Sequence, residues 1–274
     1  MKLLTILIPS FERKTSLSVL LTSLYYQDFT DFDIIVSDQS TDYNIHDDRL
    51  IHILILLLQQ KNIQVSLVQN FPRQGIAQQR QFLLERCNTP FCLYLDDDLV
   101  LEPWVIRNLI QMIRTYQCGF VGNAVIGLSY SEDRRPDQQQ IEFWEDKIEP
   151  EQILPYTDEW NRYLLHNAAN ILHIQQSLNI LPDHPRPYKI AWCGGCVLYD
   201  RAKLLDCGGF SFWTSLPVNH CGEDVLAQLQ VMGKYGGCGI IPSGVYHQEL
   251  PTTVPDRSCN APEFFKPQFH EYSC

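Results

Sequence analysis

The strongest constraint on the fold is an alternation, over the first 125 residues, of short apolar runs with helix-like segments. Leu3–Ile8 predicts a first strand, closed by Pro9-Ser10. Leu17, Leu20, Leu21 and Leu24 then follow at i, i+3, i+4 and i+7, the stripe of a buried helix face, with Thr15 or Ser16 as its cap. Asp33–Ser37 is a second strand, and the dense aliphatic run Arg49–Gln60, lying between two strands, is read as a helix. Gln64–Gln69 is a third strand, Gly75–Cys87 a helix, and Phe91–Leu95 a fourth strand. Val105, Ile106, Leu109, Ile110 and Ile113 mark another helix, and Gly119–Ile126 another strand. Repeated βα units of this kind predict an α/β fold with a mostly parallel sheet flanked by helices.

The fourth predicted strand runs into Asp96-Asp97-Asp98. Three adjacent carboxylates repel one another and are costly to desolvate unless a cation compensates. Side chains two apart share a strand face, so Asp96 and Asp98 are expected to converge on one ligand while Asp97 points away. A hard divalent ion, Mg²⁺ or Mn²⁺, suits carboxylate oxygens and bridges to phosphates. An isolated Asp run is otherwise a solvated turn, so its neighbours decide. In open α/β sheets, ligands bind beyond the carboxyl ends of the strands. Pro9, Ser10 and Glu12 follow the first strand, Asp38 the second, Arg73 and Gly75 the third. Together they favour the metal-site reading.

Three further features sit near that rim. Arg80 falls on the apolar stripe of its helix with Ile76, Leu83, Leu84 and Cys87, and an inward Arg is rarely buried unless paired. Glu223 and Asp224 open a helix continued by Val225, Leu226, Leu229 and Met232; acids suit a helix start, and one could act as a general base. His247 follows a predicted strand, Gly239–Val245, and is chemically reasonable as a third metal ligand.

Residues 129–188 break the rhythm. Ser131–Gln140 is polar, and a helix is predicted from Trp160 through Leu178, stopped by Pro182 and Pro185. A strand near Cys196–Tyr199 resumes the α/β pattern. The tail from Pro251 has no periodicity and is read as wrapping the surface or covering a site.

The formal net charge of −11 argues against a nucleic-acid partner, which needs basic patches. The ten cysteines sit in apolar strands or at helix ends and are read as reduced; Cys193-Gly194-Gly195-Cys196 lacks the second pair of a zinc site. The amino terminus lacks a signal peptide's cleavage pattern, and Leu50–Leu58 is far shorter than the roughly 20 residues of a membrane span. A soluble, cytoplasmic protein without a transmembrane segment is expected.

The chain resembles the family 2 glycosyltransferases of GT-A fold. The resemblance covers roughly residues 3–126 and 190–248. It rests on Ile8-Pro9-Ser10-Phe11-Glu12-Arg13, Val36-Ser37-Asp38-Gln39-Ser40, Gly75 with Arg80, and Leu95-Asp96-Asp97-Asp98. It continues through Gly194-Gly195-Cys196-Val197-Leu198, Gly208-Gly209-Phe210 and Gly222-Glu223-Asp224-Val225. It implies a single domain, 1–274. Within it come a Rossmann-like nucleotide-binding half (1–126), an acceptor half (127–250) with a helical insertion near 129–188, and a tail (251–274).

By the same resemblance, Pro9, Ser10, Glu12 and Asp38 border the nucleotide, with Asp38 toward the base. Arg73, Gly75 and Arg80 order the pocket, Asp96 meets the ribose and Asp97 supports it. Asp98 and His247 hold Mn²⁺ or Mg²⁺ at the diphosphate. Asp224 is the catalytic base, with Glu223 orienting or substituting for it. The implied reaction is inverting transfer from a nucleotide sugar, UDP-linked by expectation with GDP and dTDP as alternatives, to a saccharide or other hydroxyl acceptor. A nucleotidyltransferase and a non-catalytic nucleotide-sugar-binding protein are the rival readings. The first is opposed by the absence of glycine from Ile8–Lys14, the second by Glu223-Asp224.

Overall fold

In this computed structural model, which describes residues 2–265, the alternation resolves into one eight-stranded sheet covered on both faces. Strands β1 (Leu4–Ser10), β2 (Phe32–Asp38) and β3 (Val65–Gln69) are parallel, and are joined by helices α1 (Lys14–Tyr25) and α2 (Arg49–Gln60). Helix α3 (Ile76–Arg86) leads to β4 (Phe91–Leu95), which pairs with the other side of β1. The chain continues through β5 (Leu99–Leu101), α4 (Val105–Tyr116), β6 (Phe120–Gly122), α5 (Asn170–Leu178), β7 (Arg186–Tyr188) and β8 (Cys196–Asp200). It ends with α6 (Arg201–Asp206), α7 (Glu223–Tyr235), β9 (Gly237–Ile241), β10 (Val245–His247) and the short α8 (Ala261–Phe264).

The sheet order is β3-β2-β1-β4-β8-β6-β9-β7, and only β8 and β7 run against the other strands. The class is α/β with a mostly parallel sheet, as predicted. All seven residues of β1 are buried, as expected of a central strand covered on both faces. Leu4, Ile6 and Ile8 face a core built with α1, α2 and α4, while Leu7 faces one built with α3, α5, α6 and α7. Among the described residues no helix is long and apolar enough to cross a membrane.

The structure departs from the sequence expectations at several points. Helix α1 begins at Lys14 with no side-chain cap, because Ser16 turns its hydroxyl to the carbonyl of Asp97 instead, at 2.8 Å. The single helix expected over 160–178 is a 3₁₀ segment, Trp160–His166, followed by α5. Ala168 takes a left-handed conformation (φ 49°) and the Asn170 amide donates to the Leu164 carbonyl at 2.9 Å, which ends the first segment. The proline-rich stretch after it forms β7 at the sheet edge, the one place a strand tolerates Pro187. Pro242, with no N–H to donate, ends β9. The chain then turns into β10, which pairs with β5 in a separate two-stranded sheet. Strand β6 stops at Gly122 rather than Ile126, because Asn123 bonds instead to the carbonyls of Cys196 and Ser243.

Candidate active site

Strands β1, β2 and β3 end in register, Ser10 beside Asp38 and Asp38 beside Gln69. Strand β4 ends at Leu95 opposite Cys196, the first residue of the reversed β8. These ends open onto a cleft of about 840 Å³. Eleven of the thirteen expected site residues line it: Pro9, Ser10, Arg73, Gly75, Arg80, Asp96, Asp97, Asp98, Glu223, Asp224 and His247. Glu12 and Asp38 stand outside the lining. The Glu12 carboxylate accepts from the N–H groups of Thr41 and Asp42, at 2.7 and 3.2 Å. Asp38 is fully buried and accepts from the Ser40 hydroxyl at 2.6 Å; burial holds its carboxyl above the ordinary range, and among the described residues its Oδ2 has no partner.

The three aspartates occupy a turn, so strand alternation does not govern them. Asp96 accepts from Arg80 at 3.1 Å, whereas Asp97 and Asp98 share the guanidinium of Arg13. Asp97 therefore sides with Asp98 instead of pointing away from it. Asp97 also accepts from the Ser10 hydroxyl at 2.7 Å; burial pushes its carboxyl up to about 6 despite these donors. At Asp98 burial acts in the same sense, but His247 and Arg13 outweigh it and hold the group below the ordinary range.

Pairing of β10 with β5 sets His247 opposite Leu99, and the Gln248 N–H donates to the Asp98 carbonyl at 2.8 Å. The Glu249 N–H donates to Nδ1 of His247 at 2.7 Å, which leaves the ring proton on Nε2, 3.3 Å from Asp98 Oδ2. Two ligand atoms on neighbouring positions of one Mg²⁺ or Mn²⁺ are spaced similarly, at roughly 3 Å. Among the described residues no group of three or more His, Cys, Asp or Glu side chains is placed to hold a metal ion. Asp98 and His247 can supply two ligands to an open site completed by phosphate oxygens and water, once Arg13 leaves Asp98 and Nε2 of His247 gives up its proton.

Arg80 joins the two sides of the cleft. Its Nε donates to Glu223 at 2.9 Å and its Nη2 to Asp96 at 3.1 Å, while its guanidinium lies 5.5 Å from the Tyr94 ring. Burial alone would lower its pKa, but the surrounding carboxylates raise it, so it stays charged. Asp224, next along α7, lies beyond this bond network. Its Oδ1 accepts from the Val225 N–H at 2.9 Å. Burial, reinforced by the Glu223 charge and opposed by Arg80, pushes its carboxyl up to about 7.

Sequence reasoning missed four residues that shape this cleft. Arg13 sits inside a quoted motif, and the adjacent acidic run signals its need for a cation. The amide of Gln79 donates to the carbonyl of Ser37 at 2.7 Å, tying α3 to the end of β2. The buried His220 accepts from the Ala77 N–H at 3.1 Å, capping α3 from a point 143 residues away. Gln228 brackets Cys193, accepting from its N–H at 2.8 Å and donating to its carbonyl at 2.7 Å. Nothing local marks the last three.

Gly75 shows how tightly His220 is set. A Cβ there would lie 2.5 Å from His220 Cε1 and 2.7 Å from the Val218 carbonyl oxygen, at a φ of +94°. Gly75→Ala is expected to cost about 1–3 kcal/mol in urea unfolding, through strain and overlap together.

The tail covers the cleft, as one of its two readings anticipated. Thr252 through Arg257 line it, and Arg13 donates to the Pro251 carbonyl. The Cys221 N–H donates to Cys259 at 2.9 Å and the Ala261 N–H to Cys221 at 2.8 Å, which pins the far end. The last part of the tail, 266–274, lies outside the described residues. The nine described cysteines are free.

Residues 5–174 match the sequence profile of the family described as Glycosyl transferase family 2. A GalNAc(5)-diNAcBac-PP-undecaprenol beta-1,3-glucosyltransferase of Campylobacter jejuni is 30% identical over 123 residues, which is 45% of this chain and 38% of that protein. An uncharacterized glycosyltransferase of Haemophilus influenzae is 26% identical over 111 residues, 40% of this chain and 34% of that protein. The matched segments thus span little more than a third of these relatives.

Among solved structures, TarS of S. aureus in complex with UDP-GlcNAc superposes with a TM-score of 0.53 and 16% identity, covering 93% of this chain and 60% of that one. The mannosyltransferase PcManGT of Pyrobaculum calidifontis, in complex with GDP-Man and Mn²⁺, superposes at 0.57 with 14% identity. It covers 99% of this chain and 69% of that one. At such identities the likeness is one of fold, the GT-A arrangement.

Proposed function

This chain belongs to glycosyl transferase family 2, and we propose that it moves a sugar from a nucleotide-sugar donor to an acceptor hydroxyl with inversion at the anomeric carbon. The observation that carries this reading is the division of labour between adjacent carboxylates. Glu223 is committed to Arg80, whereas Asp224 lines the cleft with its carboxyl near 7, the range in which a general base works at neutral pH.

In this mechanism Asp224 takes the proton of the acceptor hydroxyl as that oxygen attacks the anomeric carbon. The bond from that carbon to the diphosphate breaks, and the nucleoside diphosphate leaves. Attack on the face opposite the leaving group inverts the centre, as in one-step inverting glycosidases. Arg80 holds Glu223 and Asp96 in place, with Asp96 turned to the ribose and Asp97 bracing Arg13. Pro9, Ser10, Arg73 and Gly75 form the nucleotide wall, with Glu12 and Asp38 behind it. Donors bound by the fold neighbours support a UDP- or GDP-linked sugar.

Asp98 and His247 would hold Mn²⁺ or Mg²⁺, which when bound offsets charge on the diphosphate. Chelation with EDTA is expected to stop turnover and added Mn²⁺ to restore it. Asp98→Asn or His247→Ala should raise the Mn²⁺ concentration for half-maximal rate by about 10–100-fold. Metal-independent turnover in the wild type would remove the ion from this scheme. The cytoplasmic location expected from the cysteine placement belongs to the same proposal.

The function itself is tested by offering UDP-, GDP- and dTDP-sugars with Mn²⁺ and following nucleotide release. Release of nucleoside diphosphate without pyrophosphate is the expected result. Conversion of the nucleotide sugar to nucleoside triphosphate only when pyrophosphate is added would instead indicate a nucleotidyltransferase, and binding without turnover a non-catalytic protein.

A further inference from the structure

We propose that Trp192, braced by Tyr163 and Trp160, forms the acceptor subsite, and that the acceptor it selects is a saccharide ring. This rests on the reading of Asp224 as the base.

Trp192 lines the cleft, as Asp224 does. Among the described residues Phe11 is the cleft's other Phe, Tyr or Trp side chain, and the Arg73 guanidinium lies over it, 3.5 Å from its ring. Trp192 carries no such cation and is still partly exposed. Tyr163 stacks on it at 5.1 Å and 14°, and Trp160 leans on it at 4.4 Å and 50°. All three rings are half-buried rather than sealed in the core. They come from two separate stretches of chain, so the cluster is assembled by the fold.

The position of Trp192 is fixed relative to Asp224. The next residue, Cys193, is held at both its N–H and its carbonyl by the fully buried Gln228. The same amide of Gln228 donates to the Asp224 carbonyl, one helical turn back, at 3.1 Å. One side chain thus ties the backbone beside the indole to the backbone of Asp224. A fixed relation of this kind favours a molecule that rests on the first and presents a hydroxyl to the second.

The chemistry of the surface selects the ligand class. A pyranose has a face of C–H groups that is apolar and flat, with hydroxyls around its edge. An aromatic ring matches that face through area and its negative quadrupole, while a simple alcohol has no face to offer. The cleft that the indole lines also carries Gly194 and the carboxylates of Asp96 and Asp224, polar groups that suit the hydroxyl edge.

The test uses saturation-transfer NMR on the full chain with UDP and Mn²⁺, and methyl glycosides of glucose, galactose, mannose, N-acetylglucosamine and N-acetylgalactosamine as probes. At least one glycoside is expected to receive saturation at its ring C–H protons. Its affinity should fall about tenfold in Trp192→Ala and be largely kept in Trp192→Phe. UDP affinity, measured by calorimetry on each variant, reports whether the donor side is folded. If no methyl glycoside binds the wild type, or if one binds Trp192→Ala equally well, the inference is wrong. Failure of UDP, GDP and dTDP alike to bind the wild type would count against the glycosyltransferase reading, and the glycoside signals would still judge the subsite.

Discussion

Asp224→Asn is expected to lower turnover by about 10²–10⁴-fold, the usual worth of a positioned general base, while UDP affinity stays within about twofold. Asn keeps the shape and the helix start but cannot take a proton. The wild-type rate should rise with pH through about 7 and level off above it, because only the ionised carboxylate accepts the acceptor's proton. In the variant that limb should vanish from the residual rate. Normal turnover in Asp224→Asn would move the base elsewhere, and Glu223 would then have to leave Arg80 to serve.

The same raised pKa has a consequence for stability. Between the ordinary carboxyl value of 3.8 and about 7, the folded chain keeps a proton on Asp224 that the unfolded chain has released. The folded state binds more protons there, so this group's contribution to stability falls as pH rises through about 7. Asp224→Asn should therefore resist urea better than the wild type at pH 8 and match it near pH 4. Equal curves at both pH values would show that Asp224 carries no such penalty.

Arg80→Met is the second change of large expected effect. It leaves Glu223 and Asp96 facing each other across a space from which the cation has gone. Removing one partner of a buried ion pair costs about 3–5 kcal/mol, since the remaining charge is left uncompensated. Met fills much of the stem's volume, so the loss reports charge rather than a cavity. Adding Glu223→Gln removes one stranded carboxylate, and the double variant should recover a substantial part of the loss. In the single variant the rising limb of the pH–rate curve should also move to higher pH, because Arg80 is the cation that opposes the rise at Asp224. A loss under about 1 kcal/mol, unchanged in the double variant, would mean that the pair is solvated and weak.

The donor side was legible because its signals are local. Leu17, Leu20, Leu21 and Leu24 state their helix in eight residues, and the run before Asp96 states its strand in five. The inward Arg80 was legible as a residue in need of a partner, though its partner Glu223 lies 143 positions away. What stayed hidden depends on separations that no local pattern encodes. The pairing that brings His247 to Asp98 joins β5, a three-residue strand too short to show a period, with β10. His220 caps a helix from another part of the chain, and Gln228 resembles any polar residue on a helix. The break at Ala168 failed for a different reason: apolar spacing continues across it while the backbone does not.

The reversed strand β8 has a consequence for how such a protein can change. Strand β6 finishes at the reaction rim with Gly122, and β8 starts at that rim with Cys196, so Gly122 and Val197 are partners. Everything between them leaves the rim and comes back to it, pairing with the sheet through the edge strand β7 and packing Leu165, Ile171 and Ile174 against one of its faces. The closure entropy of such an excursion grows only logarithmically with length. Added length between those packed residues therefore costs the sheet little. Trp160, Tyr163 and Trp192 all belong to that excursion. If the proposed subsite is right, selectivity for what receives the sugar can change in the stretches between those packed residues while the strand ends at the rim stay as they are.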